Sequence, residues 1–284
     1  MKPRVKGGRR LWTTDGKLPG VTHYRVHAIN AAAMWEALSK GYGALLVGTR
    51  EVRIVTPSPY HALRAIVLDP RTNRHSTVAA IVDTVLGQCA RARRVVEDAS
   101  GELDLSAHGL EPRFRMTVMA REPGSTEPAT RAVRPATPAG IRVTPVTDAD
   151  RLATAERILI AVFPPPAVPD DPRGRIQPRR VLRIAGWRVW LAYRDGVPAG
   201  AAYTYHDGTS LGLYQLATLP EHRHHGVGRA IMTEILRTYP DDPVTLTATD
   251  QGRPLYEALG FTALSEAVWW RPNHTGDDSG EGLR

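Results

Sequence analysis

Residues 187 to 219 constrain this chain more than any other stretch: WRVWLAYR, Asp195-Gly196, VPAGAAYTYH, Asp207-Gly208, TSLGLYQLATL. Each Asp-Gly pair is a dipeptide that accepts the positive φ of a tight hairpin turn, and the runs between them are rich in β-branched and aromatic residues. Three antiparallel strands in a meander are predicted. Directly behind them stands TLPEHRHHGVGRAI, residues 218 to 231, where a strand runs into a glycine loop and then into a helical pattern carrying Ile231, Ile235 and Leu236 on one face.

The pattern extends in both directions. VTLTAT predicts a fourth strand, RPLYEALGF a helix that Pro254 opens and Gly260 closes, and SEAVWWR a last strand. Ahead of the meander, IRVTPV predicts a strand and DADRLATAERILIAVF a helix. Residues 164 to 180, PPPAVPDDPRGRIQPRR, form a proline-broken connection suited to walling an acceptor pocket.

A chain of 284 residues accommodates two domains. Residues 121 to 140 are rich in Pro, Thr, Ala and Gly without periodicity and mark a linker. The division expected is a basic arm over 1–20, a first domain over 21–122, a linker over 123–140, a second domain over 141–272 and a disordered tail over 273–284. The net charge of +8 is spread along the chain without zinc-finger spacing or an aromatic-interleaved basic stripe, so no nucleic-acid partner is expected. No apolar run approaches a membrane span, and no apolar stretch follows the basic residues Lys2 to Arg10 as a secretory signal requires. Cys89 is the one cysteine, which rules out an intrachain disulfide and a cysteine metal cluster and suits a cytoplasmic protein.

A glycine loop opening a helix brings backbone N–H groups together on an anion, and the helix dipole adds partial positive charge. Gly226 and Gly228 permit close approach, and Arg223 and Arg229 add charge-assisted contacts. Two other readings are poorer. His222, His224 and His225 lack a carboxylate or cysteine at ligand spacing, so no metal is expected. The dinucleotide fingerprint lacks its third glycine and its parallel unit.

The match to R-x-x-G-x-G is complete in Arg223-His224-His225-Gly226-Val227-Gly228, and LYEALGF follows about thirty residues later. Over roughly residues 141 to 271 the sequence resembles the GNAT superfamily of acetyl-CoA-dependent N-acetyltransferases. The resemblance implies a mixed α/β (α+β) fold of mostly antiparallel sheet flanked by helices, with acetyl-CoA as cofactor. It implies that residues 223 to 229, His224, His225 and Val227 included, hold the coenzyme A pyrophosphate. The backbone at Leu216, Ala217 and Thr218 would hold pantetheine and polarise the thioester. Tyr256 falls on the family's tyrosine and would protonate the departing thiolate; Thr249 stands where relatives carry a cofactor-contacting Asn or Ser. Relatives also place a glutamate on the strand before the loop, but SLGLYQLATL contains no carboxylate. Asp250, Tyr214 through a water, and Asp170 or Asp171 remain candidate bases.

Residues 21 to 121 resemble the second half when Pro70 is set on Pro220. Pro70 to Gly109 spans 109 − 70 = 39 residues, and Pro220 to Gly260 spans 260 − 220 = 40. In that register Asn73, Ser76 and Val78 replace Arg223, Gly226 and Gly228, and Leu105 replaces Tyr256. The expectation is a tandem protein, monomer or homodimer, whose degenerate first half binds no cofactor and walls the acceptor cleft of the second. The activity expected is acetyl transfer to a primary amine of a small molecule. Another acyl donor, a protein amine, or CoA binding without catalysis are the alternatives.

Overall fold

The computed structural model describes residues 24–40, 45–56, 61–71, 74–87, 94–124, 138–164, 174 and 177–273. Cys89, Asp170, Asp171, the basic arm, the tail, most of the linker and most of the proline-broken connection lie outside these residues.

The first half contributes helix α1 (Tyr24–Ser39), strands β1 (Leu45–Gly48), β2 (Val52–Val55) and β3 (Leu63–Val67), helix α2 (Arg74–Ile81), β4 (Arg94–Asp98) and β5 (Leu110–Arg121). A π-helical turn, Val82–Leu86, extends α2. The second half contributes β6 (Ile141–Pro145), α3 (Ala149–Val162), β7 (Trp187–Arg194), β8 (Val197–His206), β9 (Leu211–Thr218), α4 (Val227–Thr238), β10 (Val244–Ala248), α5 (Arg253–Glu257) and β11 (Thr262–Pro272). The meander is β7-β8-β9, antiparallel throughout, with Asp195 at φ 51° and Gly196 at φ 82° in its first turn. Local chemistry explains the helix ends. Asp148 accepts the Arg151 amide at 2.9 Å to cap α3, and Gly260, at φ 84°, follows α5 in the left-handed conformation that any Cβ disfavours.

All strands join one eleven-stranded sheet, ordered β1-β2-β3-β4-β11-β5-β10-β9-β8-β7-β6. Its centre is an exchange. Strand β5 of the first half lies between β10 and β11 of the second, and β11 lies between β4 and β5 of the first. The strands of the two halves are thereby fused into one sheet, each half completing the other's ladder.

Helices α1 and α3 share one face of this sheet. The opposite face carries α4 and α5 over the second half and the Ile81–Val85 region over the first. Helix α1 belongs to the first half but reaches β8, β9 and β10 as well as β2 and β3. Met34 and Leu38 anchor it at 0% and 2% exposure, and their burial contributes about 3–6 kcal/mol together.

Candidate active site

A cleft opens between β9 and β10. These parallel strands pair only through Leu211 with Val244 and Gly212 with Thr245, then diverge. At the point of divergence β9 carries one extra residue relative to β8: Ala201 faces Ala217, but Tyr203 faces Tyr214. Gln215 takes up the excess at φ 48°, a left-handed conformation uncommon for a side chain of that kind. Such a bulge turns backbone groups away from the ladder, so the stretch Leu216–Thr218 presents amides and carbonyls to the cleft instead of to β10.

The loop from β9 to α4 follows. Pro220–His222 make a single 3-10 turn, and Arg223 braces the loop on β9 through its Nε, 3.4 Å from the Thr218 carbonyl. His224 and Gly226 both have positive φ, 62° and 84°. At Gly226 a Cβ would also stand 2.8 Å from Pro138, so conformation and space both require glycine. The first helical bond runs from the Ala230 amide to the Gly226 carbonyl at 2.9 Å. The amides of Val227, Gly228 and Arg229 are therefore first-turn donors with no carbonyl ahead of them in the helix. A Cβ built on Gly228 would lie 3.5 Å from Leu255, 3.7 Å from the Thr218 hydroxyl and 3.9 Å from Leu216. That one position gathers β9, α4 and α5, with room for a methyl group in ordinary contact.

Tyr256 lies on α5 at 8% exposure, edge-on to Phe261 with ring centroids 5.8 Å apart. Burial pushes its phenol up to about 12, so it keeps its proton across neutral pH. Thr249 is exposed, and its hydroxyl accepts the Gly252 amide at 3.2 Å, a turn contact that starts α5. Asp250 beside it is an exposed turn residue. Tyr214 points to the other face, where its hydroxyl donates to Asn30 Oδ1 at 2.7 Å and its ring stacks on Tyr203. Burial, helped by the charge of neighbouring groups, holds its phenol well above 10. His224 and His225 are exposed; among the described residues no three potential metal ligands of the His, Cys, Asp and Glu types converge.

The corresponding region of the first half differs at each of these points. Strands β3 and β4 pair along all five residues, from Leu63–Arg94 to Val67–Asp98, and no cleft opens between them. Helix α2 begins at Arg74, so Ser76 is inside the helix where Gly226 precedes one. Leu105 is fully buried in the core.

Residues 185–263 match a family described as acetyltransferase (GNAT) domain. The second half of the chain contains a GNAT domain. Solved structures of this fold align over most of the chain. A GCN5-related N-acetyltransferase from Kribbella flavida is 20% identical over 87% of this chain and 95% of its own, with a TM-score of 0.62. One from Sphaerobacter thermophilus is 19% identical over 90% and 94%, with a TM-score of 0.55. A tandem GNAT protein from the clavulanic acid biosynthesis pathway is 18% identical over 80% and 79%, with a TM-score of 0.53. No curated protein sequence matches this one. Among the described residues, no helix of the GNAT domain or of the first half is long and apolar enough to cross a membrane.

Some groups near the cleft are not announced by motif. Asn30 reaches the meander from α1, donating to the Ser210 carbonyl at 2.9 Å as well as accepting from Tyr214. His27, one helical turn before it, shares a hydrogen bond with Thr245 of β10 at 3.3 Å. The signal available was two polar residues at i and i+3 on an otherwise apolar helix stripe, which marks buried polar contacts but not their partners.

Proposed function

We propose that the GNAT domain transfers an acetyl group from acetyl-CoA to a primary amine of a small molecule. The observation that carries this reading is the divergence of β9 and β10 directly in line with the free first-turn amides of α4. Residues 141–272 would be the catalytic unit; residues 21–122, whose β3 and β4 are paired throughout, would bind no cofactor.

The residues present fit coenzyme A. The Val227, Gly228 and Arg229 amides would bind the pyrophosphate, with Arg223, Arg229 and the flanking His224 and His225 lining its approach, and Gly228 leaving room. The side of Leu216, Ala217 and Thr218 that faces away from β8 and is not paired with β10 would hold the pantetheine in extended form, as an added strand is held. Acetyl-CoA supplies an activated acyl group whose thiol is a far better leaving group than an alkoxide. Tyr256 holds a proton on the α5 side of the cleft, available to the sulfur as it departs. Thr249 serves the site through the turn that positions α5.

Calorimetric titration of the full chain with acetyl-CoA tests this reading. One site per chain is expected; two sites would contradict the assignment of the first half, and none would leave the loop as a structural remnant.

A further inference from the structure

Helix α1 is fastened to the strands of its own half at two points. Arg25 pairs at 3.0 Å with Asp69, which follows β3, and Glu36 pairs at 3.1 Å with Arg53 of β2. The two fastenings are 36 − 25 = 11 residues apart on the helix, about 16 Å along its axis. Between them lies an open groove of about 500 Å³, inside the range of roughly 300–1,000 Å³ that small-molecule sites enclose. It belongs to the half for which the proposed function names no ligand.

Ile29, Ala32 and Ala33 line the groove from one face of α1, and Leu68, directly after β3, lines it from the sheet. Ala32 and Leu68 are buried, but Ile29 is 42% exposed, one of two large apolar side chains open to solvent among the described residues. The charged walls are the two ion pairs and Arg50, from the turn between β1 and β2. Arg25 with Asp69 and Arg53 with Glu36 cancel in charge, and both guanidiniums are already engaged. Arg50 is exposed, and among the described residues no carboxylate pairs with it and no hydrogen bond reaches its side chain. The groove therefore carries one uncompensated positive charge beside an apolar floor.

We infer that this groove binds an alkyl carboxylate of medium chain length, with Arg50 holding the carboxylate and Ile29, Ala32, Ala33 and Leu68 holding the chain. A guanidinium presents parallel N–H donors that match the two oxygens of a carboxylate. A phosphate monoester carries close to two charges and would leave one of them unmatched. A neutral or cationic chain would leave Arg50 unanswered. Between the ion pairs the floor is supplied by apolar side chains alone, which favours methylene groups over a polar chain such as a peptide backbone. None of the groove's residues belongs to β9, β10, α4 or α5, so the site is distinct from the cofactor cleft and stands independently of the acetyltransferase reading.

The test uses the full chain and sodium octanoate, with binding followed by calorimetry and saturation-transfer NMR. One octanoate per chain is expected, undisturbed by saturating acetyl-CoA, and 1-octanol should bind about tenfold more weakly or worse, for want of the charge-assisted bond. Arg50→Met should raise the Kd for octanoate about tenfold or more and leave that for 1-octanol nearly unchanged. Its melting temperature should match wild type, since Arg50 is exposed and has no partner to lose. Ala33→Phe, which fills the groove, should weaken both ligands alike. No octanoate binding, equal binding of octanoate and 1-octanol, or an unchanged octanoate Kd in either folded variant overturns the inference. Displacement of octanoate by acetyl-CoA also overturns it, by moving the chain to the cofactor cleft. If Ala33→Phe does not fold, Arg50→Met with the two probes decides. A chain that binds octanoate as expected but no acetyl-CoA overturns the acetyltransferase reading and leaves this site in place.

Discussion

Met116 of β5 faces Ala267 of β11 near the middle of the sheet. The offset of this pair, 267 − 116 = 151, is the offset of the two left-handed glycines that precede the exchanged strands, 260 − 109 = 151. Residues at the same distance beyond the two glycines therefore meet each other here. To either side, β4 and β10 hold equivalent positions flanking the exchanged pair.

The exchange makes the GNAT domain dependent on the first half. A chain beginning at residue 136 would lose β5, and with it the antiparallel partner of all five residues of β10 and of most of β11. Such a chain is expected to be insoluble or without a cooperative melt, in contrast to the full protein; circular dichroism and gel filtration check this. Within the intact chain, Val118→Asp, at a position with 0% exposure, should cost ~3 kcal/mol or more in denaturant unfolding.

Gly228 has space for a methyl group but not for a ring. Gly228→Ala should bind acetyl-CoA within about tenfold of wild type, because its Cβ makes ordinary contacts at 3.5–3.9 Å. Gly228→Trp should weaken binding by ~10² or more, because the side chain would crowd the loop against Leu255 and Leu216. Equal affinity in the tryptophan variant would remove the loop from the cofactor site.

Tyr256→Phe should lower kcat by ~10² while leaving acetyl-CoA affinity near wild type. A phenol raised to about 12 is protonated, and so able to donate, at every lower pH. The kcat profile should accordingly show no loss assignable to Tyr256 between pH 7 and 10. A wild-type rate in the phenylalanine variant would make the residue a packing partner of Phe261.

A buried and a half-buried histidine set an acid limit on stability. His27 and His61 are pushed down from 6.5 to about 4 and about 3, in both cases chiefly by burial, with the Arg64 charge adding to the effect at His61. The unfolded chain takes up these protons first, so stability is complete above pH 6.5 and falls as pH drops toward 4 and then 3. Melting temperatures measured over this window should decline, and His27→Gln should flatten the decline between pH 6.5 and 4.

Asn30 joins the halves through a buried amide that serves Tyr214 and Ser210 together. Asn30→Leu should destabilise the protein by ~2–4 kcal/mol, since both partners lose a buried hydrogen bond. Tyr214→Phe should cost less, ~1 kcal/mol, because the Asn30 amide keeps its bond to Ser210.

Elements whose information is local were legible in the residues of the chain alone. Asp195-Gly196 sets a tight turn wherever the surrounding runs can pair, Asp148 caps its own helix three residues on, and Gly226 and Gly228 carry the loop's capacity for close approach in their missing side chains. The replacement of those glycines by Ser76 and Val78 likewise sets the first half apart. The remainder depends on residues far apart in the chain. The separation of β9 from β10 beside the full pairing of β3 with β4, the exchange of β5 and β11, and the meeting of Arg25 with Asp69 and of Glu36 with Arg53 leave no periodicity to read. Strand propensity states that a segment will pair, but not with which edge. That choice is made by the whole hydrophobic face at once, when α1 of one half is laid across the strands of the other.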